Sequence, residues 1–575
     1  MHRLLPFLRW LPDVRQPGVL RRDLVAGITV ATVLVPQAMA YARLAGLPPV
    51  YGLYAALLPP IVAAFWGSSR HLATGPVAMA SLISAASVIP LATPGSSDFI
   101  SYSILLALMV GAIRLLLGVL RFGVLVNLLS APVVTGFTNA AALIIATSQL
   151  HHLLGVSSDR GDFHLQTVAN VLALGWQQAD LPTLAMGLLA AVLLLILRLR
   201  FEKVLVVVII TTIVSWVSGY QGEVVGVIPS GLPPLSLPVV DLAIAAQLLP
   251  GAIILTLIGL MEAMSIAKTI ATHTKQSIDV NQELVGQGLS NLVGSLFGSY
   301  AVSGSFSRSA INYENGAATG LSSAVASAIV LLTLLFLTPL FYHLPQATLA
   351  VIIILAVLSL FRLQPIREAW RVSRGDGAIG VLTFVCTLVL APQLHWGIVA
   401  GVGLSLALYL RRTMRPHVAY LARHPDGALV DAEAHGLALD TRITIIRFDG
   451  RLFFGAASFF EDKVLEALER LPELRFLVFD AGSINQIDAT GVQTLRRVVQ
   501  DLHDIGIEVH VTRVKDRVYR LLDRAGLANE IGEDHFHDWN QHALEHLWNQ
   551  MEPAYRARCP LNVATANSSS GAWSI

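Results

Sequence analysis

The sequence predicts a polytopic α-helical membrane domain followed by a smaller soluble α/β domain. Three observations predict it. Mean hydropathy is +0.64, and charged residues make up 13% of the chain, against roughly 25% in soluble proteins. Apolar runs of bilayer-spanning length, about 17–25 residues, recur from Ala26 to Leu410. Beyond Arg411 charges become frequent and apolar runs shorten to strand length. The boundaries follow: a cytoplasmic N-terminal segment over 1–23, the membrane domain over 24–412, a linker over 413–440 and the second domain over 441–551. A Ser/Asn/Ala-rich tail over 552–575 is expected to be disordered.

The N-terminal segment carries Arg3, Arg9, Arg15, Arg21 and Arg22 and lacks a small-residue cleavage site, so it reads as a cytoplasmic lead-in and not as a signal peptide. Spans are expected near 24–43, 50–66, 76–90, 101–120, 124–150, 182–198, 204–219, 244–268, 281–299, 305–313, 320–341, 346–361, 377–391 and 394–410. With the N-terminus inside, alternate loops hold Arg70, Arg121, the Arg198/Arg200/Lys203 group, Lys268 with Lys275, the Arg362/Arg367/Arg371/Arg374 group and Arg411/Arg412/Arg415. The opposite loops hold little more than Arg160. This bias puts both termini in the cytoplasm and the chain in the inner (plasma) membrane. Fourteen spans divide into seven and seven. An odd number per half turns the second half upside down, which is the inverted-repeat plan. Gln37 and Glu262 are separated by nearly the same length of chain as Gly75 and Gly304, which suits a duplication.

Two of those spans are too short to cross alone, and each follows a hydroxyl–glycine break. One is Ala73-Thr74-Gly75-Pro76-Val77-Ala78; the other is Val302-Ser303-Gly304-Ser305-Phe306-Ser307-Arg308-Ser309. Paired breaks in corresponding places of two halves point to a transporter's substrate site. A helix starting within the membrane presents unpaired N–H groups and the positive end of its dipole, so two opposed starts attract an anion. Pro76 suits a first helical position, where its missing N–H costs nothing. Ser305 and Ser307 add hydroxyl donors, and Arg308 adds a planar fork suited to oxyanions. The structural alternative for Arg308 is a plug that pairs with carbonyls or a helix end.

In the first span, Pro36 can kink the helix, and Gln37 and Tyr41 are four apart and share a face. Both can donate to an anion; the alternative is bonding between helices. Glu262 is the carboxylate squarely inside a strongly apolar span. It is read as the group that takes up and releases a proton during transport, with a permanent salt bridge or a sodium ligand as the alternatives.

These segments resemble a known family. Pro48-Pro49-Val50-Tyr51-Gly52-Leu53-Tyr54, Pro59-Pro60 and Gly67-Ser68-Ser69-Arg70 are similar to the signature of the SulP sulfate permeases, and the two breaks resemble that family's third- and tenth-span breaks. The resemblance covers about residues 10–550. It implies a seven-plus-seven inverted repeat with core and gate subdomains, alternating access by an elevator-like movement, and a homodimer. It also implies that Gln37, Tyr41, Ser307 and Arg308 contact the anion, with backbone amides at Val77, Ala78 and Phe306, and that Glu262 is the proton-coupling position. The family includes bicarbonate, chloride and dicarboxylate carriers, so the resemblance leaves the substrate open.

In the second domain, Thr441–Phe448 alternates as a strand and Ser458–Leu471 has helical spacing. Arg475–Asp480 is a buried strand, and Asp488-Ala489-Thr490-Gly491 caps a helix whose Val492, Leu495, Val498, Val499 and Leu502 form one stripe. A strand over Ile507–Val511 and a helix over Val518–Ala525 complete an α/β sandwich. This resembles the STAS domain, the fold of bacterial anti-sigma-factor antagonists, which commonly follows SulP membrane domains. Thr490 matches the position phosphorylated in those antagonists; an ordinary helix start is the favoured reading of it. The partner of such a domain stays unknown.

Several classes are excluded or set aside. Cys386 and Cys559 make neither a disulfide framework nor a cysteine metal site. His151-His152 reads as interfacial in preference to a metal site, and His535 and His537 with Asp534 and Asp538 read as a solvated loop, with loose metal binding as the alternative. There is no Walker motif and no nucleophile–base pair, so neither ATP-driven transport nor an enzyme is expected. No cofactor is expected, and the formal net charge of +1 gives no sign of a nucleic-acid partner. The reading is a secondary active transporter of small oxyanions, sulfate first, coupled to proton entry. Alternatives are bicarbonate or C4-dicarboxylate uptake, possibly sodium-coupled, or anion exchange. A nucleobase permease is disfavoured by Arg308, and a membrane-anchored signalling protein would need no arginine and hydroxyls at its breaks.

Overall fold

The computed structural model describes residues 5–128, 130–156, 163–197, 203–238, 240–358, 360–391 and 393–562. Arg3, Arg160, Arg198 and Arg200, together with tail residues 563–575, lie outside the described residues. The chain divides into two compact units, Met1–Ser405 and Leu406–Ile575.

The first unit opens with α1 (Val19–Leu44), α2 (Pro49–Ala55), α3 (Leu58–Trp66), the short strand β1 (Ala73–Gly75), α4 (Ala78–Val88), α5 (Ser97–Val119), α6 (Ala131–Ser148) and α7 (Leu150–Leu154). It continues with α8 (His164–Gln178), α9 (Leu181–Ile196), α10 (Lys203–Ser218), α11 (Leu242–Thr274), α12 (Val280–Leu296), β2 (Ser303–Ser305) and α13 (Phe306–Glu314). Then come α14 (Leu321–Leu332), α15 (Gln346–Leu358), α16 (Gln364–Val372), α17 (Arg374–Val389) and α18 (Leu394–Met414). Local chemistry sets the starts. Ser96, Asp180, Asp241 and Asp279 each accept a backbone N–H at the first turn of α5, α9, α11 and α12. Prolines sit in the first turn of α2, α3, α6 and α9, where no donor is lost.

Each expected span carries helix. Among the described residues, six stretches are long and apolar enough to cross a bilayer by length and composition, and α8 with α9 forms a pair bent by 113°. Two helices were not expected: α8 and α16 lie in stretches read as loops. Helices approach closely where glycine allows it. A Cβ at Gly111 of α5 would stand 2.7 Å from the Leu292 amide, and one at Gly288 of α12 would stand 2.5 Å from that of Leu115. Side chains at these positions would push the two backbones apart. The N-terminal segment packs onto this unit as well. Phe7 and Trp10 lie against Phe65, and buried Asp23 accepts from Ala318 N, Thr319 N and Thr319 Oγ1.

In the second unit, strands β3 (His417–Arg423), β4 (Leu429–Asp431), β5 (Ile443–Asp449), β6 (Phe476–Asp480), β7 (Glu508–Thr512) and β8 (Phe536–His537) form one sheet in the order β4-β3-β5-β6-β7-β8. β5 to β8 run parallel, and β3 is antiparallel to both of its neighbours. Helices α19 (Ala432–His435), α20 (Ala457–Arg470), α21 (Ala489–Asp504), α22 (Asp516–Arg524), α23 (Leu527–Ile531), α24 (Asn540–Asn549) and α25 (Pro553–Arg556) complete it. Phe460, Val464, Leu495, Val499, Val518 and Leu527 cover one face, against Ile446, Phe448, Phe479 and Val511. Ala543, Leu544, Leu547 and Trp548 cover the other, against Leu421, Ile445 and Val478.

Two boundaries are corrected. The stretch 413–440 is not a linker: it holds β3, β4 and α19, because Ala419 and Leu421 serve one core and Tyr420 the other. The tail does not begin at 552, because Cys559 and Leu561 are buried in the second core. On this unit, burial and then neighbouring His535 and His537 push the His510 imidazole down to about 4, even with Glu508 opposing.

Candidate functional site

The two breaks meet. β1 and β2 form an antiparallel two-stranded sheet with Ala73 opposite Ser305, Thr74 opposite Gly304 and Gly75 opposite Ser303. Helices α4 and α13 therefore start from neighbouring points. Gly75 has φ +151°, and a Cβ there would stand 3.2 Å from Arg308 Nη2. Glycine is required at that position for both conformation and room. Val77 precedes α4 with no side-chain cap. Ser305 caps α13 weakly, its Oγ accepting from Arg308 N at 3.4 Å.

Arg308 stands at this junction. It is 1% exposed, and its Nε, Nη1 and Nη2 have no hydrogen-bond partner. A buried guanidinium normally pairs or costs several kcal/mol. Tyr41, Tyr300 and Glu262 supply the electrostatic surroundings, and Tyr300 OH lies 3.0 Å from Ser81 Oγ on α4. Gln37 is 6% exposed, with its Oε1 unpartnered. Tyr41, Val77 and Ala78 are buried, as is Ser305. Ser307 and Phe306 are exposed; the Phe306 ring lies under the Arg362 guanidinium at 5.9 Å. Glu262, on α11, is half-buried, and its Oε2 has no partner. Thr490 belongs to the second unit, exposed in the first turn of α21, where Asp488 Oδ1 accepts Gly491 N at 2.8 Å and Oδ2 accepts Phe454 N at 3.0 Å.

The structure adds residues that the sequence reading missed. Arg114 of α5 is 1% exposed and donates to Val302 O at 2.9 Å and Leu255 O at 2.7 Å. It thus fixes the chain entering β2 against α11, and it supplies a second positive charge near Glu262. Along α12, Glu283, Gln287 and Asn291 form a buried polar stripe. Glu283 accepts Ser68 N and Ser69 N at 2.8 and 3.1 Å. Gln287 donates to Thr74 Oγ1 at 2.6 Å. Asn291 donates to Val302 O and accepts Val302 N. Ser309 Oγ accepts Ala73 N at 2.8 Å. Apart from the Gln287 bond to the Thr74 hydroxyl, these bonds satisfy irregular backbone at and beside the breaks. Spacing four apart on α12 and an arginine inside an apolar run were the available signals.

The family profile described as sulfate permease matches residues 20–383, and the STAS domain profile matches residues 437–542. The chain belongs to the sulfate permease family. It is 34% identical over 95% of its length to "Sulfate transporter 4.1, chloroplastic" of Arabidopsis thaliana, covering 83% of that protein. It is 34% identical over 92% of its length to the "Sodium-independent sulfate anion transporter" of Bos taurus, covering 89% of it. Among solved structures, murine solute carrier 26 family member A9, an anion transporter in the inward-facing state, aligns with a TM-score of 0.87 at 24% identity, over 95% of this chain and 94% of that one. The transmembrane domain of a cyanobacterium bicarbonate transporter aligns with a TM-score of 0.59 at 23% identity, over 68% of this chain and 98% of that one. The permease thus has the many-helix membrane fold of these transporters followed by a STAS domain, and its family is one of membrane transporters and not of enzymes.

Proposed function

We propose that the chain is a secondary active transporter of a small oxyanion, sulfate first, taken up together with a proton by alternating access. The observation that carries this is Arg308, a buried and unpartnered guanidinium at the meeting point of two helix starts. A tetrahedral dianion supplies the acceptors that such a group lacks. In this reading the amides of Val77, Ala78 and Phe306, the hydroxyls of Ser305 and Ser307, and Gln37 and Tyr41 complete the site. Glu262 carries the proton. The Arabidopsis and cattle relatives are named for sulfate, which favours that anion, and the cattle relative's name favours a coupling ion other than sodium.

The proposal includes fourteen spans in a seven-plus-seven inverted repeat, divided into core and gate, with both termini cytoplasmic and two chains forming a dimer. Antiparallel pairing of the two breaks supports the inversion. So do α8 and α16, each inserted before the sixth expected span of its half. The test is labelled sulfate uptake into proteoliposomes under imposed pH and sodium gradients, with bicarbonate and succinate as competitors. Saturable uptake driven by an inward proton gradient is expected. Uptake driven by sodium alone, or blocked by bicarbonate well below the sulfate concentration, would replace this reading with the corresponding alternative.

A further inference from the structure

The second unit carries a cluster of imidazoles that lies outside the proposed anion site. Glu508 and His510 are two apart on β7, so they share the sheet face opposite to Val509 and Val511, which serve the larger core. β8 lies beside β7, with Val511 opposite Phe536 and Thr512 opposite His537. That pairing brings His535, at the end of the turn Glu533–His535, and His537 to the same place. His546 of α24 closes over them, its ring 5.6 Å from that of His510 and 5.5 Å from that of His537.

We propose that Glu508, His510 and His535 form a binding site for a divalent transition-metal cation, with zinc the best match. Two imidazoles and one carboxylate are the donor set that zinc and its neighbours take. Glu508 Oε1 lies 2.8 Å from His510 Nε2 and 3.3 Å from His535 Nε2. One ligand atom from each of the three lies within 4.8 Å of the others. Tetrahedral zinc with bonds of about 2.0–2.2 Å holds its ligand atoms about 3.3 Å apart, so the three donors need only small rotations to close on one ion. Three protein ligands leave a fourth position for water.

His537 supplies the supporting contact. Its Nε2 lies 3.1 Å from His510 Nδ1. When His510 ligates through Nε2, its proton sits on Nδ1 and donates to His537, which fixes both tautomer and ring orientation. The rings of His510 and His535 pack side by side, 4.3 Å apart. The ion would tie the two-residue edge strand β8 and its preceding turn to β7.

The test uses the full-length chain in detergent, stripped with a chelator and titrated with zinc against a chromophoric competitor, then with cobalt(II) as a spectroscopic probe. One tight equivalent per chain is expected, with visible cobalt bands of a nitrogen–oxygen site. Glu508→Gln keeps side-chain shape and His535→Ala changes a partly exposed ring, so neither puts folding at stake. Each should weaken that equivalent by at least about tenfold, and His537→Ala by about 10–100-fold, the usual cost of a lost supporting contact. A His151→Ala/His152→Ala double variant should leave it unchanged. Absence of a tight equivalent in the parent chain, or wild-type zinc affinity in both Glu508→Gln and His535→Ala, overturns the proposal.

Discussion

Replacing Arg308 by Met separates what a buried charge costs from what it does. In the bare protein the guanidinium is 1% exposed and has three unpartnered nitrogens, so the fold bears a desolvation penalty of several kcal/mol. Removing the charge relieves that penalty, and the apparent melting temperature of the unliganded protein should rise. The same change removes a fork able to give two charge-assisted hydrogen bonds, each worth about 1.5–3 kcal/mol. Sulfate affinity should therefore fall by about 3–6 kcal/mol, or about a hundredfold to ten-thousandfold. The assay is thermal unfolding in detergent with and without sulfate, beside proteoliposome uptake. At a hundred times its dissociation constant, sulfate adds about 2.7 kcal/mol to the parent protein and at most about 0.4 kcal/mol to the variant. Arg308→Lys should fall between, because it keeps the charge and loses the planar fork. A Met variant whose melting shift in sulfate equals the parent's, or that still takes sulfate up at the parent rate, would refute the assignment.

Four further outcomes follow from the geometry. Glu262→Gln should keep the sulfate-dependent melting shift but lose the pH-gradient dependence of uptake; full gradient dependence in that variant removes the proton role. Arg114→Met removes one of the two side-chain donors to Val302 O and the side-chain donor to Leu255 O, at about 1–3 kcal/mol in all, so it should melt earlier and transport poorly. An unchanged melting curve would contradict the clamp. Gly75→Ala forces a side chain into φ +151° beside Arg308, a strain of about 1–3 kcal/mol; slowed uptake with normal expression is expected, and parent-like uptake argues against the close approach. Asp488→Ala removes the cap of α21 and the bond to Phe454 N, which should lower protection of 489–504 in hydrogen exchange by about 1 kcal/mol.

The parts of the molecule written as interruptions of an apolar pattern were legible. Gly75, Pro76, Gly304 and Arg308 have no reason to sit inside a spanning helix, so the breaks could be placed and paired before any coordinates. What escaped were elements whose polarity matches that of a loop. α16 carries Arg367, Glu368 and Arg371, which read as inside-positive loop charge. α8 mixes Gln166, Thr167 and Asn170 with its apolar side. β3 pairs with β4 across a turn at Asp426-Gly427 and with β5 further on, but β4 is only three residues long and shows no alternation of its own. Arg114 was passed over for a different reason. A lone charge in an apolar run does not say whether it meets an anion, an acid or, as here, two carbonyls; that depends on which helices come to lie beside it.

The three-rung ladder between β1 and β2 has a consequence for how cargo leaves. Its rungs and the side-chain hydrogen bonds of Gln287, Asn291 and Ser309 are buried. Prising the two halves of the cradle apart would strand several polar groups in a dry interior at once. In the proposed transport cycle, moving the basket as one piece would break none of these bonds.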